Sequence, residues 1–205
     1  MKLYSGACER NQPHIASVLK HVFDAPGLIL EIASGTGMHA TYFANQLPHL
    51  QWQPSDIHDQ ALDSIRAWRT ESAAKNFLAP VQVDAAANDW DLSGVPQPIQ
   101  GIFNANMIHI APWQATCGLL RGAGRYLVDG AALVTYGPYR FQGHMSESNE
   151  QFHASLQSQN AQWGIRDVEA IIEQATSEGL TLDECHAMPA NNHLLIFRKQ
   201  LQRTV

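Results

Sequence analysis

With 205 residues, 45% of them hydrophobic, and 13 Lys+Arg against 19 Asp+Glu, the chain has length for one sizeable core and a formal net charge of −6. This composition excludes the disordered and collagenous classes, and with no run of Lys or Arg anywhere, nucleic acid is not an expected partner. Cys8, Cys117 and Cys185 form no C-x-x-C pair, which argues against a disulfide framework or structural zinc, and nothing approaches the roughly 20 apolar residues of a membrane span. The expectation is a single cytoplasmic domain over residues 1–205, with no membrane partner and an oligomeric state that the sequence leaves open.

In chain order, residues 13–23 set Ile15, Val18, Leu19 and Val22 at helical spacing, predicting a helix ahead of the first strand. Residues 28–32 read as a strand and 38–47 as a helix stopped by Pro48. A second strand follows at 51–56. Asp59 is the expected N-cap of a helix through Trp68, since Leu62, Ile65 and Trp68 share a face. Residues 80–84 and 99–105 read as the third and fourth strands, joined by a turn-rich connection at 89–98. A helix is predicted over 113–127, although Gly118, Gly122 and Gly124 each weaken it by up to about 1 kcal/mol. A fifth strand at 131–136 leads into an irregular polar segment reaching about residue 149, then helices at 152–159 and 166–177. Strands at 180–186 and 193–199, separated by Pro189-Ala190-Asn191-Asn192, should pair antiparallel. Five strands alternating with helices, then a hairpin, predict an α/β fold: a doubly wound, mostly parallel seven-stranded sheet with a C-terminal antiparallel hairpin.

The chemistry is concentrated where the first strand ends. Glu31-Ile32-Ala33-Ser34-Gly35-Thr36-Gly37 runs from a strand into a glycine turn that opens a helix, so backbone N–H groups can approach a nucleotide closely. Gly35-Thr36-Gly37-Met38-His39-Ala40 also satisfies the dinucleotide fingerprint, which keeps an NAD(P)-dependent oxidoreductase open as an alternative. Glu31 favours a different ligand. A pyrophosphate gains nothing from a carboxylate at the strand end, whereas cationic S-adenosylmethionine (SAM) does. Asp56, about twenty residues beyond the turn, has the spacing of an acid that accepts from ribose hydroxyls, with Ile57 beside it.

The segment from Glu31 to Gly37 resembles motif I of class I SAM-dependent methyltransferases, with Ala33 where that family often has its first glycine. Residues 99–113 resemble the motif IV region, a strand running into a loop with Asn and His; Asn104, Asn106 and His109 match, and Gly101 stands where many members have Asp. Together with Ala7-Cys8-Glu9-Arg10-Asn11-Gln12-Pro13-His14-Ile15, these stretches resemble a family of short methyltransferase-like proteins of unassigned substrate. The resemblance implies a methyl transfer to a small molecule, with SAM held by Glu31, Ala33, Ser34, Gly35, Gly37, Asp56, Ile57, Asp84, Ala85, Asn104 and Asn106. Asp84 would accept from the adenine amino group, and Ala85 would leave room for the ring. The segment 1–25 would form a lid in which Arg10 pairs with a carboxylate, the alternative being a solvated helix start capped by Asn11. His109 and His14 are the candidate bases, a role suited to imidazole near neutral pH, and Tyr136, Tyr139, Arg140 and Phe141 could wall an acceptor. No metal is expected, because His and acid residues show no ligand spacing. A SAM-binding protein without transferase activity stays open as well, with Ala33 and Gly101 as marks of a degenerate site.

Overall fold

The structure of the chain, a computed structural model, describes residues 1–201. They fall into two compact units: Met1–Asp84 with Asp89–Asn104, and Ala85–Asn88 with the chain from Ala105 onward.

The first unit begins with α1, Gly6–Val22, capped by the Ser5 hydroxyl, which accepts from the Cys8 N–H at 3.4 Å. It starts seven residues earlier than the periodicity predicts, and Pro13 lies inside it. Pro is a natural helix start, and inside a helix it removes one ladder bond. Here the Ser5 cap and the burial of Ile15, Ala16 and Leu19 outweigh that loss. Asn11 is therefore no cap. Its Oδ1 instead meets His39 Nε2 at 2.7 Å.

Strands β1 (Gly27–Ile32), β2 (Leu50–Asp56), β3 (Val81–Gln82) and β4 (Ile99–Ala105) alternate with helices α2 (Met38–Gln46) and α3 (Asp59–Glu71). β1 pairs parallel with β2 and with β4, so Glu31 lies level with Pro54 on one side and Phe103 on the other. Two expectations change here. Strand β3 covers two residues rather than five, because it has one neighbour, β2, and Pro80 has no N–H to give a ladder. The N-cap of α3 is His58 rather than Asp59, without a side-chain capping bond. The core of this unit is aromatic: Phe43 lies 5.2 Å from Trp52 and 5.3 Å from Phe103, centroid to centroid, and all three are fully buried. Rings of this size contribute about 2–3 kcal/mol each by burial, so α2 is fixed on the sheet by Phe43 more than by its own propensity. Gly101 belongs to the same core. A Cβ there would lie 2.5 Å from the Phe23 ring and 2.6 Å from Ile29 Cδ1, so the missing acid at this position reflects close packing.

The second unit contains α4 (Trp113–Tyr126), β5 (Leu127–Gly137), β6 (Tyr139–Arg140), α5 (Glu147–Gln159), β7 (Arg166–Asp167), α6 (Val168–Ser177), β8 (Leu180–Met188) and β9 (Asn192–Lys199). β9 runs antiparallel to both β5 and β8, with Tyr136 opposite Leu194 and Leu195 opposite Cys185. The turn at Ala190 and Asn191 uses left-handed backbone (φ 58° and 56°), which closes the hairpin that its Pro-Ala-Asn-Asn sequence predicts. A small parallel ribbon of β6 and β7 has no signal in the sequence, since two-residue strands carry no periodicity. It takes Arg166 and Asp167 out of the predicted helix. α5 starts at Glu147 because the Ser146 side chain accepts from the Asn149 N–H. Two glycines of α4 are places of close approach: a Cβ at Gly118 would overlap the Ala85 carbonyl, and one at Gly124 the Glu178 carbonyl.

The seven strands stand in the order β3-β2-β1-β4-β5-β9-β8, mostly parallel and finished by the antiparallel pair, as the sequence predicts. Among the described residues no helix is long and apolar enough to cross a membrane.

Candidate functional site

The turn after β1 is held in left-handed backbone at Ala33 (φ 57°), Gly35 (φ 55°) and Gly37 (φ 84°), the last being the N-cap of α2. Glycine adopts this conformation without penalty, whereas Ala33 is strained by about 1–2 kcal/mol. A Cβ at Gly35 would meet nothing within 4 Å, so the turn opens onto free space. Its shape is set by polar residues at the end of β2. Ser34 N–H donates to the Ser55 carbonyl at 2.8 Å, and the Ser55 hydroxyl donates to the Glu31 carbonyl at 2.7 Å. Asp56 does most: Oδ2 accepts from Gly35 N–H at 2.9 Å and Oδ1 from His58 N–H at 3.0 Å. The spacing argument assigns Asp56 a ribose role and misses this bracing role, as it misses Ser55 altogether. The polar run Ser55-Asp56 at a strand end was the available signal. A carboxylate has about four lone-pair sites, so Asp56 keeps acceptor capacity beyond these two bonds.

Glu31 is buried (2% exposed), with Oε2 accepting from Trp52 Nε1–H at 2.7 Å. Burial pushes its carboxyl up to about 8; the Trp52 bond opposes this and the Asp56 carboxylate adds to it. The unfolded chain titrates Glu31 near the ordinary 4.5 and the folded chain near 8, so the folded state binds more protons between these values. This stabilising contribution is complete below pH 4.5 and is lost as pH rises toward 8. His39 has the opposite sense, since burial lowers it to about 4. Glu31→Gln is therefore expected to remove a downward slope of stability with pH, read as the difference between variant and wild type in urea unfolding at pH 5, 6.5 and 8.

Asn104 is fully buried at the end of β4, opposite Ile32; its Nδ2 donates to the Ile32 carbonyl at 2.9 Å, and its Oδ1 has no partner among the described residues. An orphaned buried acceptor in this place is costly without a donor from a ligand. Open space over Gly35, an acceptor at Asn104 and acids at Glu31 and Asp56 together fit a cofactor with adenosine hydroxyls and an amino group. The other candidates of this unit lie at its surface: Ile57 is 43% exposed, and Arg10, His14 and Asp84 are exposed. His39 is instead a buried member of the core, stacked 5.3 Å from Phe43.

The remaining candidates, Ala85, Asn106 and His109, belong to the second unit. Ala85 is buried beneath Gly118 of α4. Asn106 sits in left-handed backbone (φ 63°), which Asn tolerates, and its N–H donates to the Tyr136 carbonyl at 2.8 Å. His109 is 5% exposed, with its ring edge-on to Phe152 at 5.5 Å. Burial, then the positive charge of Arg166, lowers its imidazole to about 4, so it is neutral and able to accept a proton at pH 7. The expected aromatic wall is differently composed. Tyr139 is buried and donates to Thr135 Oγ1 at 2.8 Å, Arg140 pairs with Asp167, and Phe141 lies against His193. Phe152, which no pattern marked as a site residue, sets its ring against His109, and it is 41% exposed.

A family model described as a protein of unknown function (DUF938) matches residues 2–199. The chain belongs to the DUF938 family. Among solved structures, this DUF938 chain is similar to an O-methyltransferase family 2 protein from Planctomyces limnophilus in complex with apigenin (TM-score 0.79, 16% identity, 95% of this chain and 58% of that one). It is also similar to an O-methyltransferase family protein from Burkholderia thailandensis (0.78, 12%, 94% and 57%). A third is an O-methyltransferase from neocarzinostatin biosynthesis in complex with SAM and 2-hydroxy-5-methyl naphthoic acid (0.73, 12%, 94% and 54%). The DUF938 chain spans a little over half the length of these three proteins. At such identities the likeness is one of fold: the seven-stranded, mostly parallel sheet with its C-terminal antiparallel pair is shared with these O-methyltransferases.

Proposed function

We propose that the chain is a SAM-dependent methyltransferase acting on a hydroxyl group of a small molecule. The observation that carries this reading is the left-handed turn after β1, open above Gly35 and braced by the carboxylate of Asp56. The fold comparison supports it, as do the O-methyltransferase neighbours. When bound, the cofactor supplies a methyl group already activated on a positive sulfonium. In this reading Gly35, Gly37, Ser34 and Ala33 present the turn, and Asp56 accepts from the ribose while keeping the turn in shape. Asn104 Oδ1 accepts from an amino group, and Glu31, buried and mostly protonated at pH 7, offers a polar carboxyl at the end of β1 rather than a charge. Asp84, Ala85, Ile57, Asn106 and Arg10 complete the binding residues. Methyl transfer asks mainly for alignment and exclusion of water. His109, neutral at pH 7, takes the proton of the acceptor hydroxyl on its imidazole, and His14, exposed on α1, is the lesser candidate for that role.

Calorimetric titration with SAM and with its demethylated product, with NAD as control, tests the cofactor. Saturable binding of the first two and none of NAD is the expected result; binding of NAD alone would replace the methyltransferase reading by the oxidoreductase one. With a panel of phenols as acceptors, His109→Gln is expected to keep SAM affinity within about 2-fold and to lower turnover about 100-fold or more.

A further inference from the structure

The loop that carries His109 is held by one short stretch of the second unit. Ile110 N–H closes a turn onto the Met107 carbonyl at 2.9 Å, and the carbonyls of Ile108, His109 and Ala111 accept from elsewhere. Each is taken up from residues 164–166. Gly164 N–H donates to the His109 carbonyl at 2.9 Å. Arg166 Nε donates to the Ile108 carbonyl at 3.3 Å, and its Nη2 donates to the Ala111 carbonyl at 2.8 Å and to the Gln162 carbonyl at 2.6 Å.

We propose that Arg166 is the positioning residue for His109: its guanidinium gathers the carbonyls on either side of the histidine, fixing the imidazole, and leaves an unneutralised positive charge beside it. This rests on the reading of His109 as the base. Two features separate it from an ordinary structural arginine. The partners of the guanidinium are carbonyl dipoles, and the adjacent carboxylate, Asp167, pairs with Arg140 at 3.4 Å instead. The planar fork also reaches three carbonyls at once, which an ammonium group does not reproduce. Two uncharged groups meet the imidazole. Phe152 of α5 gives a ring edge, Gly137 of β5 gives backbone, and the nearby His153 is held by accepting from Ile165 N–H at 3.0 Å. Burial does most to lower the imidazole and Arg166 adds to it, so the acid limb of turnover is set lower than burial alone would set it.

The test uses the full chain with Arg166→Met and Arg166→Lys, and NMR titration of the His109 ring, assigned by its loss in His109→Gln. In Arg166→Met the His109 titration and the acid limb of kcat should both move up by about 0.5–1 pH unit. Turnover should fall at least about 10-fold with the KM for SAM unchanged. Arg166→Lys keeps the charge and loses the fork, so turnover should fall while the titration stays low. An Arg166→Met protein with wild-type SAM affinity whose His109 titration is unmoved would overturn the proposal, and so would lost turnover with an unmoved pH profile. If Arg166→Met does not fold, Arg166→Gln, neutral but still a donor, is read in the same way. The NMR titration needs neither cofactor nor acceptor, so a failure of the methyltransferase reading, seen as absent SAM binding in the wild type, is distinguished from a failure of the coupling.

Discussion

Replacing Asp56 with alanine is expected to weaken SAM binding about 100-fold and to lower stability by about 2–3 kcal/mol. The carboxylate accepts from Gly35 N–H and His58 N–H, and charge-assisted bonds of this kind contribute about 1.5–3 kcal/mol each before water replaces part of them at the more exposed His58. Without the brace, Gly35 loses the bond that fixes its left-handed backbone, and the turn loses its shape where the ligand is to lie. Asp56→Asn separates the two roles. One amide oxygen can still hold one of the two N–H groups, so roughly half of the stability should return. Affinity should not, because a ribose diol is best met by two acceptor oxygens. Urea unfolding and calorimetric titration on the same samples read both quantities. Loss of stability with wild-type SAM affinity would make Asp56 a brace only and would remove it from the cofactor site.

Gly118→Ala is expected to cost about 3 kcal/mol or more, opposite in sign to the roughly 1 kcal/mol that alanine gains over glycine in an open helix. The new methyl group would overlap the Ala85 carbonyl, which is backbone and has no rotamer by which to yield. Gly124→Ala should behave the same way against the Glu178 carbonyl. Urea midpoints measure both. A stabilised Gly118→Ala protein would mean that α4 and the loop at Ala85 do not approach as closely as described. Since Ala85 is also a candidate for the adenine pocket, a folded but destabilised variant is expected to show weakened SAM binding too.

The order of elements was readable because long amphipathic segments and strand-like runs carry their period in every few residues. The stretches 113–127 and 193–199 are examples, each within a residue of α4 and β9. Short elements were not readable, for the same reason. β3 shrank to the length its single neighbour could pair, and β6 with β7 had no period to show. At the candidate site, the sequence marked Glu31, the glycine turn, Asp56, Asn104 and His109 by their type and spacing. It did not mark Ser55, Phe152 or Arg166, whose roles come from residues far along the chain: Glu31 for Ser55, His109 for the other two. The Glu-Arg-Asn run was legible as unusual, and its alternative reading as a helix start capped by Asn11 fails because a cap at Ser5 and an apolar face carry α1 through Pro13.

By itself the sequence determined the alternation of strands and helices, the glycine turn with its acids, and the closing hairpin, since each of these is specified by local chemistry: periodicity, positive φ and turn residues. Only the tertiary structure decided that Glu31 is a buried acid rather than an exposed counter-charge, that Asp56 braces the turn, that Gly101, Gly118 and Gly124 are there for close packing, and that Arg166 secures the His109 loop. Protonation and close approach depend on what surrounds a group in space, and that is set by residues tens of positions away in the chain.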